Sequence, residues 1–72
     1  MTKSKIKQLL KEEIKKTGKP LSQILRDAEI DIARFHQYMS DKKRGIKLEW
    51  LIQIAKVINL DLNEFFKKLE RL

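Results

Sequence analysis

The stretch Leu21-Ser22-Gln23-Ile24-Leu25-Arg26-Asp27-Ala28-Glu29-Ile30-Asp31-Ile32-Ala33-Arg34-Phe35-His36-Gln37-Tyr38 decides how this chain folds. Leu21, Ile24, Leu25 and Ala28 fall at i, i+3, i+4 and i+7, one apolar stripe of a helix, and the stripe breaks at Glu29 and Ile30. Asp31 then offers a carboxylate to the unpaired amides of a new first turn, and Phe35, Tyr38 and Met39 resume the helical spacing. Two helices, at about 21–28 and 31–39, with so few residues between them must cross sharply. The reading is a helix-turn-helix.

Upstream, Ile6, Leu9, Leu10 and Ile14 share one stripe between Lys and Glu, which predicts a first helix from about Ser4 to Thr17. Gly18 can close it in the left-handed conformation and Pro20 cannot continue it, so Thr17–Pro20 is a connector. Downstream, Ser40–Lys47 is a polar loop with four cations and no periodicity. A fourth helix is expected over Leu48–Ile58, with Leu48, Leu51, Ile52, Ile54, Ala55, Val57 and Ile58 wrapping most of its surface, a pattern that demands burial. Asp61-Leu62-Asn63-Glu64 has the form of a capping box, opening a fifth helix with Leu62, Phe65, Phe66, Leu69 and Leu72 on its stripe. The expectation is an all-α, compact five-helix bundle in a single domain spanning 1–72.

The chain has 72 residues and no cysteine, so packing alone must hold a small core, without a disulfide framework or a thiolate site. Its apolar runs are far shorter than a membrane span, and the Lys-rich start is not followed by an apolar segment, so neither membrane insertion nor a signal peptide is expected. The expected location is the cytosol. Seventeen Lys and Arg against ten Asp and Glu give +7, which favours polyanionic partners. The charge is uneven: residues 1–20 carry seven Lys against two Glu, and residues 41–60 five Lys or Arg against two acids. A solvated surface is the plain alternative for the first block.

An enzyme is not expected. The single His36 has no Cys, Ser or paired carboxylate arranged around it, and Glu12 and Glu13 point to different faces of a helix. One His and scattered acids also argue against a metal site, and no cofactor or small-molecule substrate is implied.

With these residues read, the chain resembles, from about Ile6 to Phe66, the lambda-repressor-like DNA-binding domain of the Cro/C1 or XRE type. The resemblance rests on Leu21-Ser22-Gln23, Ile24-Leu25, Ala28, Ile30 and Asp31, on Phe35 and Tyr38, on a basic loop ending in Gly45, on Leu48-Glu49, Leu51, Ile54-Ala55 and Ile58, and on Asn59-Leu60-Asp61-Leu62 before Phe65-Phe66. Two positions depart from it. Glu29 stands where the family usually has a turn Gly, and Asp41 where Gly often closes the third helix. If Glu29 needs a left-handed backbone it carries strain, and a different turn there would rotate the third helix. The chain is also rich in Lys, Glu, Ile and Leu, which keeps a designed or redesigned member of the family among the readings.

The resemblance implies double-stranded DNA as partner, with the helix at about 31–39 in the major groove, as in small transcriptional regulators of bacterial or phage type that are nucleoid-associated when bound. It aligns Ile32, Ala33 and Gln37 with base-contacting positions, flanked by Arg34 and His36. Gln37 can pair with adenine, Ile32 and Ala33 can pack on a thymine methyl, and Arg34 can reach guanine or phosphate. Ile32 packed inward under the turn, and His36 as a solvated helix residue, are the plain alternatives. Phosphate contacts are expected from Ser22 and Gln23 at a helix start and from Lys42, Lys43, Arg44 and Lys47 in the loop.

The rival reading is a protein-interaction module of the same fold without DNA binding, using Trp50, Phe65, Phe66 and Leu69 as an aromatic patch. Those four are otherwise ordinary core, or a homodimer surface on the fifth helix.

Overall fold

Three of the chain's helices are closed by residues in the left-handed region, Gly18 at φ 73°, Glu29 at φ 60° and Asn59 at φ 57°. In the computed structural model, which describes residues 2–71, the elements are α1 Thr2–Lys16, α2 Leu21–Asp27, α3 Ile32–Ser40, α4 Leu48–Ile58 and α5 Leu62–Glu70. The described residues contain helices and no strands, so the fold is all-α. Helix α4 has the expected bounds. Helix α1 begins two residues earlier than expected and stops one short of Thr17, and α2 ends at Asp27 with Ala28 as its cap.

The turn after α2 is a Schellman closure. Ile30 N donates to Leu25 O at 2.8 Å and Glu29 N to Arg26 O at 3.0 Å, with Leu25 and Ile30 both buried. These bonds and that apolar contact hold Glu29 left-handed although its Cβ disfavours the conformation by about 1–2 kcal/mol. Asp31 then lies just outside α3 as its N-cap, its Oδ1 accepting from Ala33 N at 3.4 Å. Asp61 caps α5 in the same way from Asn63 N at 2.9 Å. The structure gives no reciprocal bond from Asp61 N to the Glu64 carboxylate, which lies 3.8 Å from Lys67 Nζ. Asp41, the second departure from the family pattern, has φ −82° and ψ 112°, an extended backbone that needs no Gly.

The core draws on all five helices: Leu9, Leu10 and Ile14 of α1, Ile24 and Leu25 of α2, Ala28 and Ile30 of the turn, Phe35 of α3, Trp50, Leu51, Ile54 and Ala55 of α4, and Phe65 of α5. Helix α4 packs on α2, α3 on α2, and α1 on α5. Each of Leu10, Ile24, Leu25, Ile54 and Phe65 is wholly enclosed, which contributes about 1.5–3 kcal/mol per side chain before entropy. The radius of gyration is 11.4 Å, close to the roughly 11 Å of a compact chain of this length.

Two apolar expectations fail at the edges. Leu48 is 64% exposed in the first turn of α4, and Phe66 is 40% exposed on α5. The near-continuous apolar pattern of α4 overstates its burial, since Ile52, Val57 and Ile58 are only half-buried. Leu72 lies outside the described residues.

Among the described side chains of α1, two charged ones are buried. Lys7 is 8% exposed and its Nζ donates to the main-chain carbonyl of Asp41 at 2.6 Å. Glu13 is 6% exposed, and its carboxylate is shared by Lys16 Nζ at 3.0 Å and Lys68 Nζ at 3.2 Å, which ties α1 to α5. Burial pushes the Glu13 carboxyl up, but the Lys16 and Lys68 ammoniums outweigh it and hold it below the ordinary 4.5. No described helix is long and apolar enough to cross a membrane.

Candidate nucleic-acid interface

Helix α3 buries Phe35 and half-buries Tyr38 and Met39, which leaves Ile32, Ala33, Arg34, His36 and Gln37 exposed. All five expected base-contacting residues therefore share the outer surface of one helix. Ala33, His36, Gln37 and Ser40 fall at i, i+3, i+4 and i+7 and form its central stripe. Ile32 is 41% exposed, so it stands outward rather than packing under the turn. Ser40 Oγ donates back to His36 O at 2.7 Å, which takes its hydroxyl into the helix's own last turn.

The surroundings of α3 are electrically divided. Asp27, Glu29 and Asp31, all exposed, surround its start with negative charge. Arg34 in its first turn is an exposed cation among them, and four more cations follow its end in the loop 41–47, which is built rather than loose. Lys7 anchors its first carbonyl from α1. Asp41 Oδ1 accepts from Lys43 N at 2.9 Å, and Asp41 Oδ2 pairs with Arg44 Nε at 3.4 Å. The Arg44 guanidinium lies 5.1 Å over the Tyr38 ring. Lys47 Nζ stands 5.5 Å from the Tyr38 ring and 5.1 Å from that of Trp50. Tyr38 and Trp50 meet edge to face at 4.8 Å, so two helices supply one aromatic platform beneath two cations. Lys42 and Lys43 are exposed beside it.

Ser22 and Gln23 are exposed in the first turn of α2. The backbone amides of Gln23 and Ile24 both bond to Pro20 O, at 3.1 and 3.2 Å, so an anion at this seven-residue helix would meet the Ser22 hydroxyl, the Gln23 carboxamide and the two amides before Gln23.

The four residues of the rival patch separate. Trp50 and Phe65 are core, Leu69 is half-buried, and Phe66 alone is exposed. The sequence reading missed Lys7 and the Tyr38–Trp50 platform. The signal for Lys7 was its place on the stripe of Leu10 and Ile14, and the signal for the platform was an aromatic on each side of a basic loop. Among the described residues no three His, Asp or Glu lie where they could share a metal ion. Comparison with protein-family models, with curated proteins and with solved structures returns no match to this chain.

Proposed function

We propose that this chain is a sequence-specific double-stranded DNA-binding domain of the lambda-repressor-like helix-turn-helix type, with α2 and α3 as the motif and α3 in the major groove. The observation that carries the reading is the composite surface of α3 and the loop after it. Five outward side chains on a helix backed by Phe35 stand next to cations held in place by Lys7, Tyr38 and Trp50. Arg34 and Gln37 are the base-reading groups, Ile32 and Ala33 the apolar contacts, and His36 the flanking donor. Lys42, Lys43, Arg44 and Lys47 meet phosphate on the side of the helix end, with Ser22 and Gln23 as weaker contacts. The loop cations after the end of α3 draw the phosphate backbone to that side of the helix. The role is regulatory binding in the cytosol, not catalysis.

The interaction-module reading loses support because the aromatic patch is reduced to Phe66. A homodimer through α5 would use that ring, and two copies would space their recognition helices about 34 Å apart on a palindromic site.

Selection from a random duplex library, followed by titration of the selected site across salt, tests the reading. About five neutralised phosphates give a slope of log affinity against log salt of roughly −4 to −5. No enrichment, or affinity independent of salt, overturns it.

A further inference from the structure

A cleft of about 380 Å³ opens between α1 and α3, lined by Lys11, Ile14, Lys15, Leu21, Phe35, His36, Met39 and Ser40. Its wall is apolar, made of Ile14, Leu21, Phe35 and Met39, and its volume falls in the range of small-ligand pockets, about 300–1,000 Å³. Its rim is cationic. Lys11 and Lys15 are one turn apart on α1, both exposed, and no acid lines the cleft. Their neighbour Lys16 is paired with Glu13, whereas neither Lys11 nor Lys15 takes part in an ion pair among the described residues. Across the opening stands the exposed imidazole of His36, a further donor.

An apolar pocket with two uncommitted ammoniums at one edge is complementary to a molecule with a hydrocarbon body and one anionic head. A neutral apolar molecule would leave the ammoniums unused, and a dianion without a hydrocarbon body would leave the wall wet. We propose that the α1–α3 cleft binds a monocarboxylate with an aliphatic body of medium length, its chain along Ile14, Leu21, Phe35 and Met39 and its carboxylate between Lys11 and Lys15. The cleft shares His36 with the surface proposed to meet DNA, but the proposal does not rest on that reading and its test uses no nucleic acid.

Decanoate, below its micellar concentration, is titrated into the full chain and followed by methyl and amide NMR, with decanol as the uncharged control. Saturable shifts centred on Ile14, Leu21 and Met39 are expected, with decanol at least fivefold weaker. The double substitution Lys11→Gln and Lys15→Gln, at two exposed positions, is expected to weaken decanoate about five- to tenfold without lowering Tm. Equal binding of decanol and decanoate overturns the proposal, as do shifts centred elsewhere, unchanged affinity in the double variant, or shifts that follow protein concentration and so report a second copy in the cleft.

Discussion

The ammonium of Lys7 donates to the main-chain carbonyl of Asp41 across 34 positions of sequence, so a buried lysine of the first helix fixes the point at which the basic loop leaves α3. That carbonyl also accepts from Arg44 N at 3.3 Å, which makes it a junction of helix end and loop. A cation at the carbonyl end of α3 is favoured by the helix dipole as well.

Lys7→Met keeps the aliphatic stem and removes the donor. Asp41 O retains its weaker bond from Arg44, so the expected loss is about 1.5 kcal/mol, at the low end for a charged donor. The location of the effect is more diagnostic than its size. Amide hydrogen exchange should accelerate through residues 41–47 more than in α4, and uniform acceleration across the chain would show that Lys7 serves general packing instead.

Glu29→Gly should stabilise the protein. It relieves a left-handed strain of about 1–2 kcal/mol and gives back about 0.4–1 kcal/mol through a freer unfolded chain, which leaves a gain of about 0.5–1 kcal/mol. The urea midpoint should rise with an unchanged slope. Asn59→Gly should change it less, since Asn tolerates the same backbone. A lower midpoint for Glu29→Gly would mean that the Glu side chain makes a compensating contact.

Glu13 should shape the acid limb of stability. Its carboxyl is held below 4.5 in the folded chain, so its stabilisation is complete above that value and is lost as pH falls through the folded value. Glu13→Gln should therefore cost about 1 kcal/mol near neutrality, limited by the exposure of the paired ammoniums. The deficit should shrink as the medium is acidified below pH 4.5. A deficit that stays constant from neutral to acid pH would exclude the ion-pair account.

Gln37→Ala and Lys43→Ala should fail in different ways on DNA. The first should flatten the preference at one base pair, by about 1–3 kcal/mol. The second should weaken all sequences alike and reduce the salt slope by about one. Binding-site selection with each variant checks this, and matching profiles would sink the division between base reading and phosphate holding.

The helices were legible because their ends carry local chemistry. Gly18 and Pro20 separate α1 from α2, and Asp31 and Asp61 cap α3 and α5 as read. The outward set on α3 was legible too, because Phe35, Tyr38 and Met39 fix which way that helix faces. The distant partners of Lys7 and Glu13 were not, since Asp41 and Lys68 lie 34 and 55 positions away, although the place of Lys7 on the apolar stripe of α1 marked its burial. The seat of Arg44 and Lys47 over Tyr38 and Trp50 was not legible for the same reason, because it exists only once α3 and α4 are packed. At Glu29 the residue's own preference pointed away from a left-handed turn, and the bonds Ile30 N to Leu25 O and Glu29 N to Arg26 O, with Leu25 and Ile30 both buried, outvoted it. Leu48 failed in the opposite sense: an apolar pattern cannot register that the first turn of a helix projects past the core.

The chain's single tryptophan sits under the Lys47 ammonium and against Tyr38. An indole's emission responds to a nearby positive charge and to exchange of excitation with tyrosine, so the protein carries an optical gauge of its own basic loop. Any event that draws Lys47 or Arg44 off the rings becomes readable as a change in colour or lifetime, with no label attached.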